Sequence, residues 1–330
     1  MERDGMAAEV AVVAIGRNEG ERLKACLRSL PADAPAIYVD SGSVDGSVAF
    51  ARMQGATVVE LPADAPFTAA LARNAGLAAV GDAELVQMVD GDCALDEGWL
   101  AAARSALAAE PDLGVVFGRR RERFPEASVY NRLCDEEWDV PVGEAMSCGG
   151  DALFRRAALD QVGGYDPALI AGEEPDLCQR MRAQGWRVRR IDAEMTLHDA
   201  GMTRFGQWWR RAERGGHAFA ELAWRHGAAG DSHWRREVKR IAGWAGALPA
   251  AALAAALLTG GWGAALLLAY PAQAARIAWR KRREGRPAPI AQGVFLTLAK
   301  FPQLIGMARF HTRRLTGGRA RLIEYKGAGS

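Results

Sequence analysis

Between Val10 and Gly118 short apolar runs alternate with amphipathic stretches, and this alternation restricts the fold more than any other feature of the chain. Val10–Ile15, Ala36–Val39, Thr57–Glu60, Glu84–Val89 and Leu113–Phe117 read as strands, mostly apolar and bounded by turn residues. Helices fit between them at Glu21–Leu30, Ser47–Met53, Phe67–Val80 and Leu100–Ala109, with Leu23, Leu27 and Leu30 on one face of the first. The order predicts an α/β domain on a mostly parallel, Rossmann-like sheet with helices on both faces. Ligands bind such sheets at the carboxyl ends of the strands. Three polar clusters fall there: Gly16–Glu19, Asp40–Asp45 and Asp90–Asp92.

The third cluster is the most specific. The strand Glu84–Val89 runs into Asp90-Gly91-Asp92. Side chains at i and i+2 leave an extended backbone on the same side, so both carboxylates can meet one cation. Hard oxygen ligands suit Mg²⁺ or Mn²⁺, and Gly91 lets the backbone approach a ligand closely. The same three residues also make an ordinary Asp-Gly turn. At the second cluster, Asp40 can accept hydrogen bonds from a base or ribose while the Gly and Ser residues that follow turn the chain into a helix. Arg73 lies in a helix near the same edge, where its fork suits a diphosphate and where a solvated helix charge would look the same.

The order of these motifs resembles the family 2 glycosyltransferases of GT-A fold over about residues 10–220: Asn18-Glu19, Asp40 to Asp45, Ala72-Arg73-Asn74, Asp90-Gly91-Asp92, Gly149-Gly150, then an acidic helix start. The resemblance implies a nucleotide-sugar bound by the first half. Asn18 and Glu19 would line its loop, Asp40 would contact the nucleoside, with Ser41 where many members have a second Asp, and Arg73 would contact the diphosphate or base. Asp90 and Gly91 would meet the ribose and metal, and Asp92 the metal directly. Gly149, Gly150 and Asp151 would border donor sugar and acceptor. Glu174 occupies the position of the family's base, usually Asp, with Glu173 the competing choice. That base deprotonates the acceptor hydroxyl as it attacks from the face opposite the leaving diphosphate. His198 is where a histidine can complete the metal shell, and a lone histidine is as often structural. Gln207-Trp208-Trp209-Arg210-Arg211 partly matches Gln-x-x-Arg-Trp, so Arg210 and Arg211 would bind a diphosphate or lipid phosphate. A basic interfacial helix is the equal alternative.

Charge is split along the chain. Residues 1–200 carry 20 Lys/Arg against 34 Asp/Glu, whereas residues 201–330 carry 22 against 6. An acidic half suits metal-using chemistry, and a basic one suits nucleic acid or an anionic membrane. Five cysteines without paired spacing do not suit a disulfide framework or a zinc site. The polar start, Met1 to Glu9, lacks the core of a signal peptide. Residues 241–275 contain no charge and break at Thr259-Gly260-Gly261, giving apolar segments Ile241–Thr259 and Trp262–Trp279. Arg235, Arg236, Lys239 and Arg240 precede the pair, and Arg280, Lys281, Arg282 and Arg283 follow it, which places both ends in the cytoplasm. This is read as a membrane hairpin over 241–279, against an alanine-rich pair buried in protein, with Ile290–Phe310 as an interfacial helix.

The expectation is a GT-A domain over residues 1–220 and a helical membrane-association region over 221–330. The activity expected is inverting, Mn²⁺- or Mg²⁺-dependent hexosyl transfer. The donor would be a nucleotide-sugar, UDP-linked before GDP- or dTDP-linked. The acceptor would be a lipid-linked saccharide, at the cytoplasmic face of the inner membrane, in exopolysaccharide or envelope glycan synthesis. A processive polysaccharide synthase would need more spans than one hairpin. A nucleotidyltransferase shares the sheet and acidic site. A nucleic-acid partner is disfavoured by the apolar hairpin, since phosphate-binding surfaces are polar.

Overall fold

The computed structural model describes residues 9–65, 67–227 and 232–317. The polar start before Glu9 and the part of the expected carboxy-terminal region beyond residue 317 lie outside the described residues. The chain divides into two compact units. One takes in the chain up to Phe124 together with Glu137–Ala200, and the other Pro125–Glu136 together with the chain from Gly201 onward. Gly201 is also where the composition turns from acidic to basic.

In the first unit β1 (Val10–Gly16), α1 (Glu21–Arg28), β2 (Ala36–Asp40), α2 (Ser47–Met53), β3 (Thr57–Glu60), α3 (Ala69–Ala78) and β4 (Leu85–Asp90) follow the expected order. Next come β5 (Cys93–Leu95), α4 (Trp99–Ala109) and β6 (Leu113–Glu122). Helix α5 (Val129–Trp138) belongs to the second unit as far as Glu136. The first unit then ends with β7 (Gly143–Glu144), β8 (Ala152–Arg155), α6 (Arg156–Val162), α7 (Glu173–Ala183) and β9 (Arg187–His198).

The strand order is β3-β2-β1-β4-β8-β6-β9-β5, with β7 on β9. β1 pairs in parallel with β2 and β4, and β2 with β3. Gly16 lies opposite Asp40, and Ile15 opposite Asp90, so the three polar clusters meet at one sheet edge as expected. Beyond β4 the sheet is mixed, because β8 runs antiparallel to both β4 and β6. Val12, Val13, Val86, Met88, Leu153 and Phe154 are buried at its centre. Gln87 interrupts the apolar run of β4 yet is satisfied: its Oε1 accepts from Trp99 Nε1 at 2.7 Å, and its Nε2 donates to Met88 O. Helix α3 lies close on the sheet because residue 76 has no side chain; a Cβ there would overlap Val13 Cγ1 and lie 3.1 Å from Val39 Cγ2.

The second unit is helical: α8 (Phe205–His226), α9 (Ser232–Ile241), a π-helical stretch Ala242–Ala247, α10 (Leu248–Leu258), a 3-10 stretch Trp262–Leu268, α11 (Ala269–Arg283), α12 (Pro289–Leu298) and α13 (Lys300–Thr316). Helices approach closely at glycines. A Cβ on Gly216 of α8 would overlap Gln303 O of α13, one on Gly306 of α13 would overlap Glu213 O of α8, and one on Gly293 would overlap Ala274 O. Gln207 closes the start of α8, its Oε1 accepting from the Thr203 and Arg204 N–H groups.

The break at Thr259-Gly260-Gly261 is where the sequence puts it, with both glycines at positive φ. Its two limbs are unequal. The first is a helical run from His233 to Leu258, 26 residues and long enough to cross a membrane. The second starts as a 3-10 stretch and meets Arg276 midway along α11, so it is not a regular span. Pro289–Thr316, 28 residues, meets the same length and composition test. Leu257, Leu258, Trp262 and Leu268 are exposed around the turn.

Gly76→Ala should destabilise the protein by about 1–3 kcal/mol through overpacking, although alanine is the better helix former. Urea denaturation of the two proteins checks this, and a variant of equal or greater stability would refute the close approach of α3 to β1.

Candidate functional site

The site begins at the end of β4. The Gly91 N–H donates to Ile15 O at 2.8 Å, and a Cβ on Gly91 would come within 3.0 Å of that oxygen. The chain therefore turns tightly from Asp90 through Gly91 to Asp92 and into β5. That strand pairs antiparallel with β9 so that Cys93 stands opposite His198. His198 Nε2 lies 3.2 Å from Asp92 Oδ2, and Cys93 Sγ lies 3.6 Å from Asp92 Oδ1. All three side chains are buried. Behind the imidazole, Glu122 Oε2 is 3.8 Å from His198 Nδ1, and Trp138 meets the ring edge-on at 4.6 Å. Glu122 is fixed by accepting from the Phe124 and Ala200 N–H groups. Donor atoms of Asp92, Cys93 and His198 lie within 4.8 Å of one another, as do those of Asp90, Cys93 and Asp151; each trio can hold a metal ion. Burial raises the Cys93 thiol pKa well above its ordinary value.

Arg73 comes up from α3 beneath Asp90. Its Nη2 bonds Asp90 Oδ1 at 2.9 Å, while Nη1 lies 3.0 Å from Glu173 Oε1 and 2.9 Å from Glu174 Oε1. The ring of Tyr165 lies 5.5 Å from the guanidinium carbon. Expected at the diphosphate or base, Arg73 is buried, and its fork meets three carboxylates. Both glutamates belong to the first turn of α7, whose N-terminal dipole favours negative charge there. They differ in access: the Glu174 side chain is 16% exposed and that of Glu173 5%. Burial, and next the charge of Glu173, push Glu174 up to about 7 against the pull of Arg73. Asp176 is a helix residue paired with Arg180 at 2.8 Å.

Asp151 also differs from expectation. Its side chain is 0% exposed; Oδ1 accepts from the Asp90 N–H at 2.9 Å, and Oδ2 accepts from Arg120 Nε and Thr196 Oγ1. It braces β4 rather than facing a sugar. Gly150 is required beside it, since a Cβ would lie 2.5 Å from Arg73 Nη2 and 2.6 Å from Asp90 Oδ2. Gly149 is exposed with open space around it. Sequence reasoning missed Arg120, which reaches Asp90 Oδ2 at 3.2 Å and lies 5.5 Å from the Trp138 ring centre.

The first two loops are sewn to each other. Asn18, at φ 54°, donates its N–H to Ser43 Oγ and accepts from the Val44 N–H, and the Gly20 N–H donates to Asp45. Glu19 pairs with Arg22 at 2.8 Å. The Asp40 carboxylate, expected at a nucleoside, accepts from Tyr38 OH and from the Gly42 and Ser43 N–H groups and is 2% exposed. Ser41 is buried, its N–H on Gly16 O. Arg210 and Arg211 lie on α8, in the other unit.

Residues 11–163 match the profile of glycosyl transferase family 2. An uncharacterized glycosyltransferase of Mycobacterium tuberculosis is 30% identical over 204 residues, covering 59% of this chain and 88% of the relative. A pre-mycofactocin glycosyltransferase of the same species is 31% identical over 168 residues, covering 48% of this chain. The match spans only 35% of that relative's length. Among solved structures, a mannosyltransferase from Pyrobaculum calidifontis in complex with GDP-Man and Mn²⁺ aligns with a TM-score of 0.65 at 23% identity, over 92% of this chain and 88% of that one. S. aureus TarS 1–349 aligns at 0.51 and 13% identity, over 94% and 92%. At these identities the likeness is one of fold.

Asp151→Ala should cost about 3–5 kcal/mol of stability, because it leaves the buried guanidinium of Arg120 without its main partner. Thermal and urea denaturation read this. Wild-type stability in the variant would mean that Asp151 does not brace β4.

Proposed function

Since this chain belongs to glycosyl transferase family 2 and has the GT-A fold, we propose that it is an inverting transferase using a divalent cation and a nucleoside diphosphate sugar. The acceptor hydroxyl attacks the anomeric carbon, a carbon–oxygen bond forms on one face, and the bond to the diphosphate breaks on the other. The hydroxyl proton passes to Glu174, and the nucleoside diphosphate leaves. The observation that carries this reading is that one guanidinium, Arg73, bonds both Asp90 and Glu174, so the donor-side acid and the base are held by the same group. Glu174 is favoured over Glu173 because it is more accessible and because a base titrating near 7 is matched to its task.

Asp92 and His198, with Asp90, would hold Mn²⁺ or Mg²⁺; two carboxylates and an imidazole backed by Glu122 are a suitable donor set. A cation there neutralises charge on a diphosphate. Asp90 also faces the ribose, and Arg120 fixes its second oxygen. Asn18, Glu19, Asp40 and Ser41 shape the nucleoside loop; Asp40 does so by holding the backbone rather than by touching the base. A UDP-sugar is the first donor to assay, and GDP-mannose the second.

The acceptor in this reading is a lipid-linked saccharide for exopolysaccharide or another envelope glycan, met at the cytoplasmic face of the inner membrane. Support comes from the helical run His233–Leu258, the exposed Leu257, Leu258 and Trp262 at its turn, and the basic residues at its base.

Glu174→Gln should lower kcat by about 10²–10⁴-fold, the usual contribution of general base catalysis. Wild-type activity should fall as pH drops through about 7, because protonated Glu174 cannot accept the hydroxyl proton. Steady-state rates with Mn²⁺ or Mg²⁺ across pH check both, and an unchanged acid limb in Glu174→Gln would remove it from the role. Leu257→Ser with Trp262→Ser should weaken sedimentation with vesicles containing phosphatidylglycerol. Equal sedimentation of the variant and wild type would remove the hairpin from membrane binding.

A further inference from the structure

Trp138 belongs to no sequence motif, yet its ring lies against two side chains of the candidate site. It meets the His198 imidazole edge-on at 4.6 Å, and the guanidinium carbon of Arg120 is 5.5 Å from its ring centre. The residues that follow hold it there. Asp139 pairs with Arg190 at 3.4 Å and lies 3.7 Å from Arg119, and the Val140 carbonyl accepts from Arg190. Both arginines are buried, one on β6 and one on β9. The end of α5 is thereby fastened to the strand that carries His198.

The first unit has three tryptophans, and Trp138 differs from the other two in its N–H group. Trp99 Nε1 donates to Gln87 and Trp186 Nε1 to Gln161, both at 2.7 Å. Trp138 is half-buried, and its Nε1–H has no acceptor among the described residues. That nitrogen is not sealed inside the protein either, so solvent reaches it. The strong donors beside Asp90 are already engaged. Arg73 faces Asp90, Glu173 and Glu174, and Arg120 faces Asp90 and Asp151. An indole N–H can only donate, and here it is unspent.

We propose that Trp138 binds the diphosphate of the nucleotide-sugar, its indole N–H donating to a phosphate oxygen. This rests on the reading of His198 as a cation ligand and of the donor as a nucleoside diphosphate sugar. Ligands that share an octahedral ion sit about 3 Å apart. A phosphate oxygen on an ion held by His198 therefore comes beside the imidazole, within the span of an indole that touches it. The diphosphate gains charge as the sugar leaves it, so this hydrogen bond strengthens along the reaction.

Full-length wild type and Trp138→Phe are titrated calorimetrically with UDP and with GDP in the presence of Mn²⁺. Phenylalanine keeps a ring beside Arg120 and His198 and removes the N–H. Whichever nucleoside diphosphate the wild type binds, Trp138→Phe should bind it about 10–100-fold more weakly, the usual worth of a hydrogen bond to a charged group. The matching nucleoside, which has no phosphate, should have the same affinity for both proteins when measured by competition. A merely structural role would weaken nucleoside and diphosphate together, and that result overturns the proposal. Unchanged diphosphate affinity in Trp138→Phe also overturns it and leaves the transferase reading standing. If the wild type binds neither UDP nor GDP with Mn²⁺, that reading is refuted and the proposal with it. Circular dichroism establishes that the variant is folded, and Trp138→Leu serves if it is not.

Discussion

One buried guanidinium holds the candidate site together. Arg73 is surrounded by Asp90, Glu173 and Glu174, so a single positive charge faces three carboxyl groups. Without the arginine these groups would repel one another and their desolvation would be uncompensated. With it, negative charge remains in excess, and Glu174, the more accessible of the two glutamates, has its pKa raised by burial and next by the charge of Glu173. Gly150 belongs to the same arrangement, because only a residue without a side chain fits over the Arg73–Asp90 pair. A site with surplus negative charge is also one that welcomes a cation.

Much of this was legible in the sequence. The strands of the parallel half and the Asp-Gly-Asp end of β4 were found from periodicity and turn chemistry alone, since buried parallel strands are read from continuous apolar runs. The direction in which polar side chains turn was harder. Asp40, Arg73 and Asp151 were placed on the right edge and assigned to ligands, yet each is spent on the protein itself. A carboxylate that binds its own loop and one that binds a ribose have the same local sequence. Arg120 was hidden for another reason. The β6–β9 register slips between Phe117 and Arg120, and a bulge breaks the alternation that would have marked Arg120 as inward-facing. Cys93 needed the long-range pairing of β5 with β9, which no local pattern encodes.

The second unit follows different physics. Its charge-free run was evident, as was the break at Gly260-Gly261. Helix-to-helix contact there depends on small residues: Gly216 against Gln303, Gly306 against Glu213, and Gly293 against Ala274. Backbone approach of this kind requires a residue without a side chain at each crossing. Single glycines scattered through a basic, alanine-rich sequence give no sign of which partner each will meet.

The step from β4 to β5 has a geometric consequence. In strand order β8, β6 and β9 stand between these two strands, so a flat sheet would separate them by about 19 Å. Asp90 and Cys93 are three peptide links apart, a reach of about 11 Å at most. The five strands β4-β8-β6-β9-β5 must therefore roll toward a closed trough, with the irregular register near Arg119 absorbing the bend. Asp90 ends the strand on one side of its seam, and Asp92 immediately precedes the strand on the other. The short link through Gly91 thus limits how far the sheet can unroll, and a substitution in the distant β6–β9 bulge would be felt there as strain on that link.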